Sequence, residues 1–66
     1  MNLIVNGKEL EIDNNSNAAD LITQLGYQNQ RIALEVNEAI IPKSKHTGFT
    51  LNSGDKIEII KAVGGG

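Results

Sequence analysis

The stretch NNSNAADLITQLG, residues 14–26, decides the fold of this chain, because its apolar residues have the spacing of a helix. They recur at the i, i+3, i+4 and i+7 positions of one helix face: Ala18, Leu21, Ile22 and Leu25. Ser16 or Asn17 can cap the N-terminus, Asp20 suits its positive end, and Gly26 can end the helix in a left-handed turn. A helix with a single apolar stripe predicts one covering surface, which is one face of a sheet.

The segments on either side of this helix alternate apolar and polar residues, as half-buried strands do. Residues 2–13 predict a hairpin around Asn6-Gly7, a dipeptide that accepts the positive φ angles of a tight turn. Three more strands are predicted after the helix, at residues 31–37, 39–41 and 56–63. Pro42 ends the second of them, because proline cannot donate to a strand ladder. This order predicts an α+β, β-grasp fold, in which one helix packs across one face of a mixed four- to five-stranded sheet.

Length and composition exclude several classes of protein. At 66 residues the chain predicts one domain, over residues 1–63, followed by a flexible glycine tail at 64–66. The absence of cysteine excludes disulfides, thiolate metal sites and iron–sulfur clusters. A net charge of −2 with scattered basic residues argues against nucleic acid, and no apolar run has the length of a membrane span. Without a signal peptide, we expect a cytoplasmic protein.

Candidate catalytic groups are sparse. His46, the single histidine, lies in a polar segment, where we expect it to be solvated and without a second metal ligand. The glutamates of the strands fall on outward positions, and the serines fit caps and turns. No glycine-rich stretch joins a strand to a helix, so no nucleotide cradle is predicted. We therefore predict a non-enzyme with no catalytic residue, no metal and no cofactor of its own.

The final strand departs from its alternation near the tail. Ile57 and Ile59 set its inward phase, so Ile60 and Ala62 should lie on the face that the helix does not cover, and Val63 follows them. Singly exposed apolar residues are ordinary, but clustering next to a tail favours an interaction surface. The predicted docking patch consists of Ile60, Ala62, Val63 and Ile4.

The three final glycines give nothing to a fold, and a frayed end is the simplest explanation of them. The alternative is a substrate handle, since Gly64, Gly65 and Gly66 can lie extended in a tunnel that rejects larger residues. Attack by the Gly66 carboxylate on the α-phosphate of ATP would make an acyl adenylate. Sulfide, a thiol or an amine could then displace AMP, so the residues alone leave the acceptor open.

The block NSGDKIEIIKAVGGG, residues 52–66, preceded by RIALEVNEAIIPKSKH at 31–46, resembles the ThiS family of ubiquitin-like sulfur carriers in thiamine biosynthesis. The resemblance covers the whole chain, and its most specific parts are the turn region 37–42, the Gly54-Asp55 turn and the glycine end. It departs at His46, where many relatives have a tryptophan.

The resemblance implies that Gly66 is adenylated by a ThiF-like enzyme with ATP and magnesium. It further implies a thiocarboxylate whose sulfur comes from cysteine by a cysteine desulfurase pathway and is delivered to thiazole synthase. Two alternatives share the tail: the small subunit of molybdopterin synthase, which is usually longer, and a modifier that forms isopeptide bonds through Gly66. A plain structural β-grasp domain is the remaining possibility. We expect the free protein to be a monomer, with no nucleic-acid or membrane partner.

Overall fold

The computed structural model describes residues 1–62, which form five strands, one α-helix and one 3-10 helix. In chain order the elements are β1 (Asn2–Val5), β2 (Lys8–Glu11), α1 (Ala18–Gln24), β3 (Ile32–Val36), β4 (Ala39–Ile40), a 3-10 helix (Lys43–Gly48) and β5 (Lys56–Lys61). The predicted end of the domain at Val63 and the predicted flexible tail at 64–66 lie outside these residues.

The strands form one mixed sheet in the order β2-β1-β5-β3-β4. The first and last strands are parallel neighbours at its centre, and the other pairs are antiparallel. With α1 on one face, this is the predicted β-grasp fold. The topology brings β5, which leads into the tail, to the middle of the sheet.

The helix begins and ends at local signals in the sequence. Asn17 is the N-cap: its Oδ1 accepts from the Asp20 amide at 2.8 Å, and Asp20 Oδ2 accepts from the Asn17 amide at 2.9 Å, a reciprocal capping box. Gly26 has a φ of +82°, and the amide of Tyr27 donates back to the carbonyl of Ile22 at 2.9 Å. This is the Schellman geometry expected where a glycine follows a helix.

The core lies between α1 and the inner face of the sheet. Fully buried side chains come from both layers and from the loop before β5: Leu3, Leu21, Leu34, Leu51 and Ile57. Leu25 is only half-buried, because it is the C-cap at the end of the helix. The polar sequence of segment 43–55 predicts an irregular loop, but the segment contains the 3-10 helix and supplies Leu51 to the core. Over the described 62 residues, no helix is long and apolar enough to cross a membrane.

Candidate functional site

The strand that leads to the tail has the predicted phase. Ile57 is fully buried and Ile59 is 8% exposed, whereas Ile60 is 55% exposed. Since successive strand residues point to opposite faces, Ile60 lies on the outer face, which α1 does not cover. Ala62, which follows the strand, is also exposed.

Strand register decides which apolar residues accompany Ile60. Ala33 is its direct partner on β3 and is exposed beside it. Ile4, predicted to join the same patch, pairs instead with Lys56 at the start of β5. Four residues along a strand separate Lys56 from Ile60, about 13 Å. The surface at the tail is therefore formed by Ile60, Ala62 and Ala33, hereafter the tail-end patch; Ile4 is separate from it, and Val63 lies outside the described residues.

The most exposed isoleucine was not singled out from the sequence. Ile40 is 70% exposed and lies on the outer face of β4, paired with Glu35, which in turn pairs with Glu58 on β5. The sequence did contain a signal, because Ile40 and Ile41 are adjacent and successive strand residues point to opposite faces, so only one of the two can face the core. Glu35 and Glu58 continue the cross-strand row of Ile40 toward β5. Charged side chains therefore lie next to Ile40, and it is not continuous with the tail-end patch.

Two asparagines hold β5 where its neighbouring strands end. The Asn6 side chain accepts from the Ile59 amide at 2.8 Å and donates to the Ile59 carbonyl at 3.3 Å, so it acts as one more backbone residue of β1. Asn37 Oδ1 accepts from the Lys56 amide at 3.0 Å, and its Nδ2 donates to Asp55 at 3.0 Å. Both asparagines have positive φ, 49° and 50°, in the turns that end β1 and β3. Asn37 thereby joins the turn region 37–42 to the Gly54-Asp55 turn.

A groove of about 590 Å³ lies beside the tail-end patch, at the edge of β3. Its walls come from the loop after α1, the 3-10 helix and the end of β5, and include Tyr27, Arg31, Ile32, Lys43, His46 and Ile60. Ala62, from which the chain continues toward the glycines, also lines it. Whatever fills this groove lies next to the base of the tail.

His46 is not the solvated residue that the sequence suggested. It is 9% exposed, and its Nε2 lies 3.0 Å from the carbonyl oxygen of Ile41. A carbonyl oxygen only accepts, so Nε2 carries the proton. The ring therefore packs the 3-10 helix against the end of β4, which is a structural role. Within residues 1–62, no group of three His, Cys, Asp or Glu side chains is placed to hold a metal ion.

The family model described as "ThiS family" matches residues 3–66. A thiazole synthase from Paramagnetospirillum magneticum is 36% identical over 66 residues, which are all of this chain and 20% of that protein. The chain thus spans about one fifth of that relative. The uncharacterized protein ycf40 of Porphyra purpurea is 32% identical over 62 residues, 94% of this chain and 87% of the relative.

Two solved structures are similar to this chain over its whole length. The crystal structure of the thiamine biosynthesis protein ThiS from Geobacter metallireducens superposes with a TM-score of 0.84 at 30% identity, and all of both chains is covered. The solution structure of a thiamine biosynthesis protein from the same organism gives 0.80 at 30% identity, with 88% of that chain covered. The likeness therefore includes every element of the sheet and the helix.

Proposed function

Because this chain belongs to the ThiS family of ubiquitin-like sulfur carriers in thiamine biosynthesis, we propose that the carboxyl group of Gly66 is the atom group that carries the sulfur. A carboxylate oxygen attacks the α-phosphorus of ATP, and pyrophosphate leaves. Sulfide then attacks the carbonyl carbon of the acyl adenylate, and AMP leaves, so that the product is a thiocarboxylate. The observation that supports this most is that the family match continues to residue 66 and includes all three glycines.

The protein acts in this proposal as a substrate and not as an enzyme. A ThiF-like enzyme supplies the site for ATP and magnesium, and a cysteine desulfurase pathway supplies the sulfur. The recipient is thiazole synthase, since two proteins of that name contain a segment similar to the whole of this chain. We place these steps in the cytoplasm, because activation consumes ATP.

Mass spectrometry of the protein from its native cells tests the chemistry. We expect a fraction whose mass has increased by the exchange of one oxygen for sulfur, located in the C-terminal peptide. Attachment of Gly66 to lysines of other proteins, with no sulfur-loaded fraction, would show a modifier instead. Deletion of the gene separates the two sulfur-carrier roles: a growth requirement for the thiazole part of thiamine supports the proposal, and loss of molybdopterin-dependent activities alone contradicts it.

Because Ile60 is exposed, a substitution there should weaken binding to the activating enzyme without lowering the stability of the free protein. In Ile60→Asp the charge enters water in the free protein but an apolar contact in the complex with the activating enzyme. We expect affinity for that enzyme to fall at least ~10-fold, the effect of ~1.4 kcal/mol. The melting temperature should be nearly unchanged. Calorimetric titration and circular dichroism measure the two quantities.

The control is Ile40→Asp, which places the same charge on the same outer face at an edge strand, away from the tail-end patch. Its affinity should remain within about twofold of the wild type, as for a residue outside the centre of an interface. Equal affinities for the two variants would show that the docking surface is elsewhere. An unfolded Ile60→Asp would show that Ile60 does not have the outward position assigned to it.

A further inference from the structure

The charges that line the groove at the β3 edge are opposite in sign to the chain as a whole. The chain has 8 acidic and 6 basic side chains, a net charge of −2. The charged residues of the groove wall are Arg31 and Lys43, with no carboxylate among the described lining residues. Lys61 adds a third positive charge nearby, since its ammonium lies 5.3 Å from the ring centroid of Tyr27, which lines the groove. The charged side chains described at the groove are therefore all positive, on a chain whose net charge is negative.

The groove also contains backbone groups that the sheet does not use. The amide of Ala62 donates to the carbonyl of Arg31 at 2.9 Å, so Arg31 directs its backbone groups toward β5. By the alternation of an antiparallel ladder, the amide and carbonyl of Ile32 point the other way, into the groove. Strand β4 pairs with Glu35 and Val36, and the amide of Ile41 donates to the carbonyl of Leu34 at 2.9 Å, after which Pro42 turns the chain away. In the part of the chain that the structure describes, no strand covers Ile32 on that side.

Resting on the proposed function, we infer that this groove binds an extended, acidic segment of thiazole synthase. The segment pairs with Ile32 along the sheet edge and places carboxylates against Arg31 and Lys43, while an apolar side chain contacts Ile60. Extended segments bind free sheet edges through main-chain hydrogen bonds, and the side chains give the selectivity. Charges of one sign along a groove increase the rate of encounter with a partner of the opposite sign.

We identify thiazole synthase as the partner because two proteins of that name contain a segment similar to this chain. In the two thiazole synthases, the segment similar to this chain is part of a much longer polypeptide. Covalent connection through a short linker provides an effective concentration in the millimolar range without any new contact. The connection in those two proteins keeps a domain similar to this chain next to thiazole synthase, where it can contact the enzyme. The groove lies at the base of the tail, where such contacts direct Gly66 toward the recipient.

The test measures the affinity of purified thiazole synthase from the same organism for the unloaded carrier. Arg31→Glu with Lys43→Glu reverses both charges of the groove. The matched control is Lys8→Glu with Lys45→Glu, an equal change of net charge at two exposed lysines outside the groove wall. We expect the groove variant to bind at least ~10-fold more weakly and the control to stay within about twofold. The difference should shrink in 1 M salt, where the Debye length is about 3 Å.

Hydrogen exchange gives a second, independent measurement on the wild-type protein. The Ile32 amide should exchange rapidly in the free carrier and become protected in the complex. Equal affinities for the two double variants, or an Ile32 amide that gains no protection, would overturn the inference. Either result leaves the mass-spectrometric test of the thiocarboxylate unaffected, so the two proposals fail separately.

Discussion

Removal of Gly66 is expected to abolish adenylation while leaving the thermal midpoint of unfolding unchanged. The variant loses the carboxyl group at the position that the activating enzyme must align with the α-phosphate of ATP, and one missing residue retracts the new terminus by ~3.5 Å. A misplacement of ~1 Å can already cost ~100-fold in rate. The core lies within residues 3–59, so its packing is unaffected. Exchange of labelled pyrophosphate into ATP, with the activating enzyme in excess, measures the first effect and calorimetry the second.

A bulky residue in place of Gly65 should have the same effect, because a side chain does not fit a tunnel shaped for glycine. The matched control is Gly48→Ala in the 3-10 helix. A Cβ built there meets no atom within 4 Å, and Gly48 needs no positive φ. This variant should exchange pyrophosphate at the wild-type rate. Normal exchange by the chain that lacks Gly66 would rule out the assignment of the carboxylate.

Replacement of Leu21 by alanine is expected to cost 2–5 kcal/mol of the free energy of unfolding, roughly the range for emptying a packed leucine site. Leu21 is 0% exposed and lies in the centre of the helix face that covers the sheet. Total stabilities are typically ~5–15 kcal/mol, and domains of this size lie toward the low end. The loss is therefore a large part of the total stability, and the variant should unfold at a much lower denaturant concentration than the wild type. Denaturant titration followed by circular dichroism measures this difference.

Thr23→Ala is the control, since Thr23 is exposed on the same helix and should change stability by no more than about 0.5 kcal/mol. The sequence alone predicted an equally large cost for Leu25→Ala. Its half-buried position as the C-cap lowers that expectation below the value for Leu21. If Leu21→Ala costs less than about 1 kcal/mol, α1 does not pack on the sheet through this face.

Local features of the sequence predicted most of the fold. The start of α1 followed from the two candidate caps Ser16 and Asn17, of which the structure uses Asn17, and its end followed from Gly26. Caps and left-handed ends depend on a few consecutive residues. The hairpin followed from Asn6-Gly7, whose φ values of 49° and 82° fit the tight turn. The outward position of Ile60 followed from a period of two. The glycine tail was also evident, because it is a contiguous stretch of chain.

The sequence by itself therefore determined α1, the strands with a clear alternation and the candidate for modification, since each depends on neighbours along the chain. Only the tertiary structure decided what lies beside the tail. The parallel register of β1 on β5 separates Ile4 from Ile60. The paired residues of these strands, such as Ile4 and Lys56, are 52 positions apart, and the alternation within either strand does not indicate which residues of the other it pairs with. The burial of His46 against the Ile41 carbonyl depends likewise on how the 3-10 helix packs. The groove combines Arg31, Lys43 and Ile60 from three distant segments, and it exists because the short β4 leaves part of the β3 edge open.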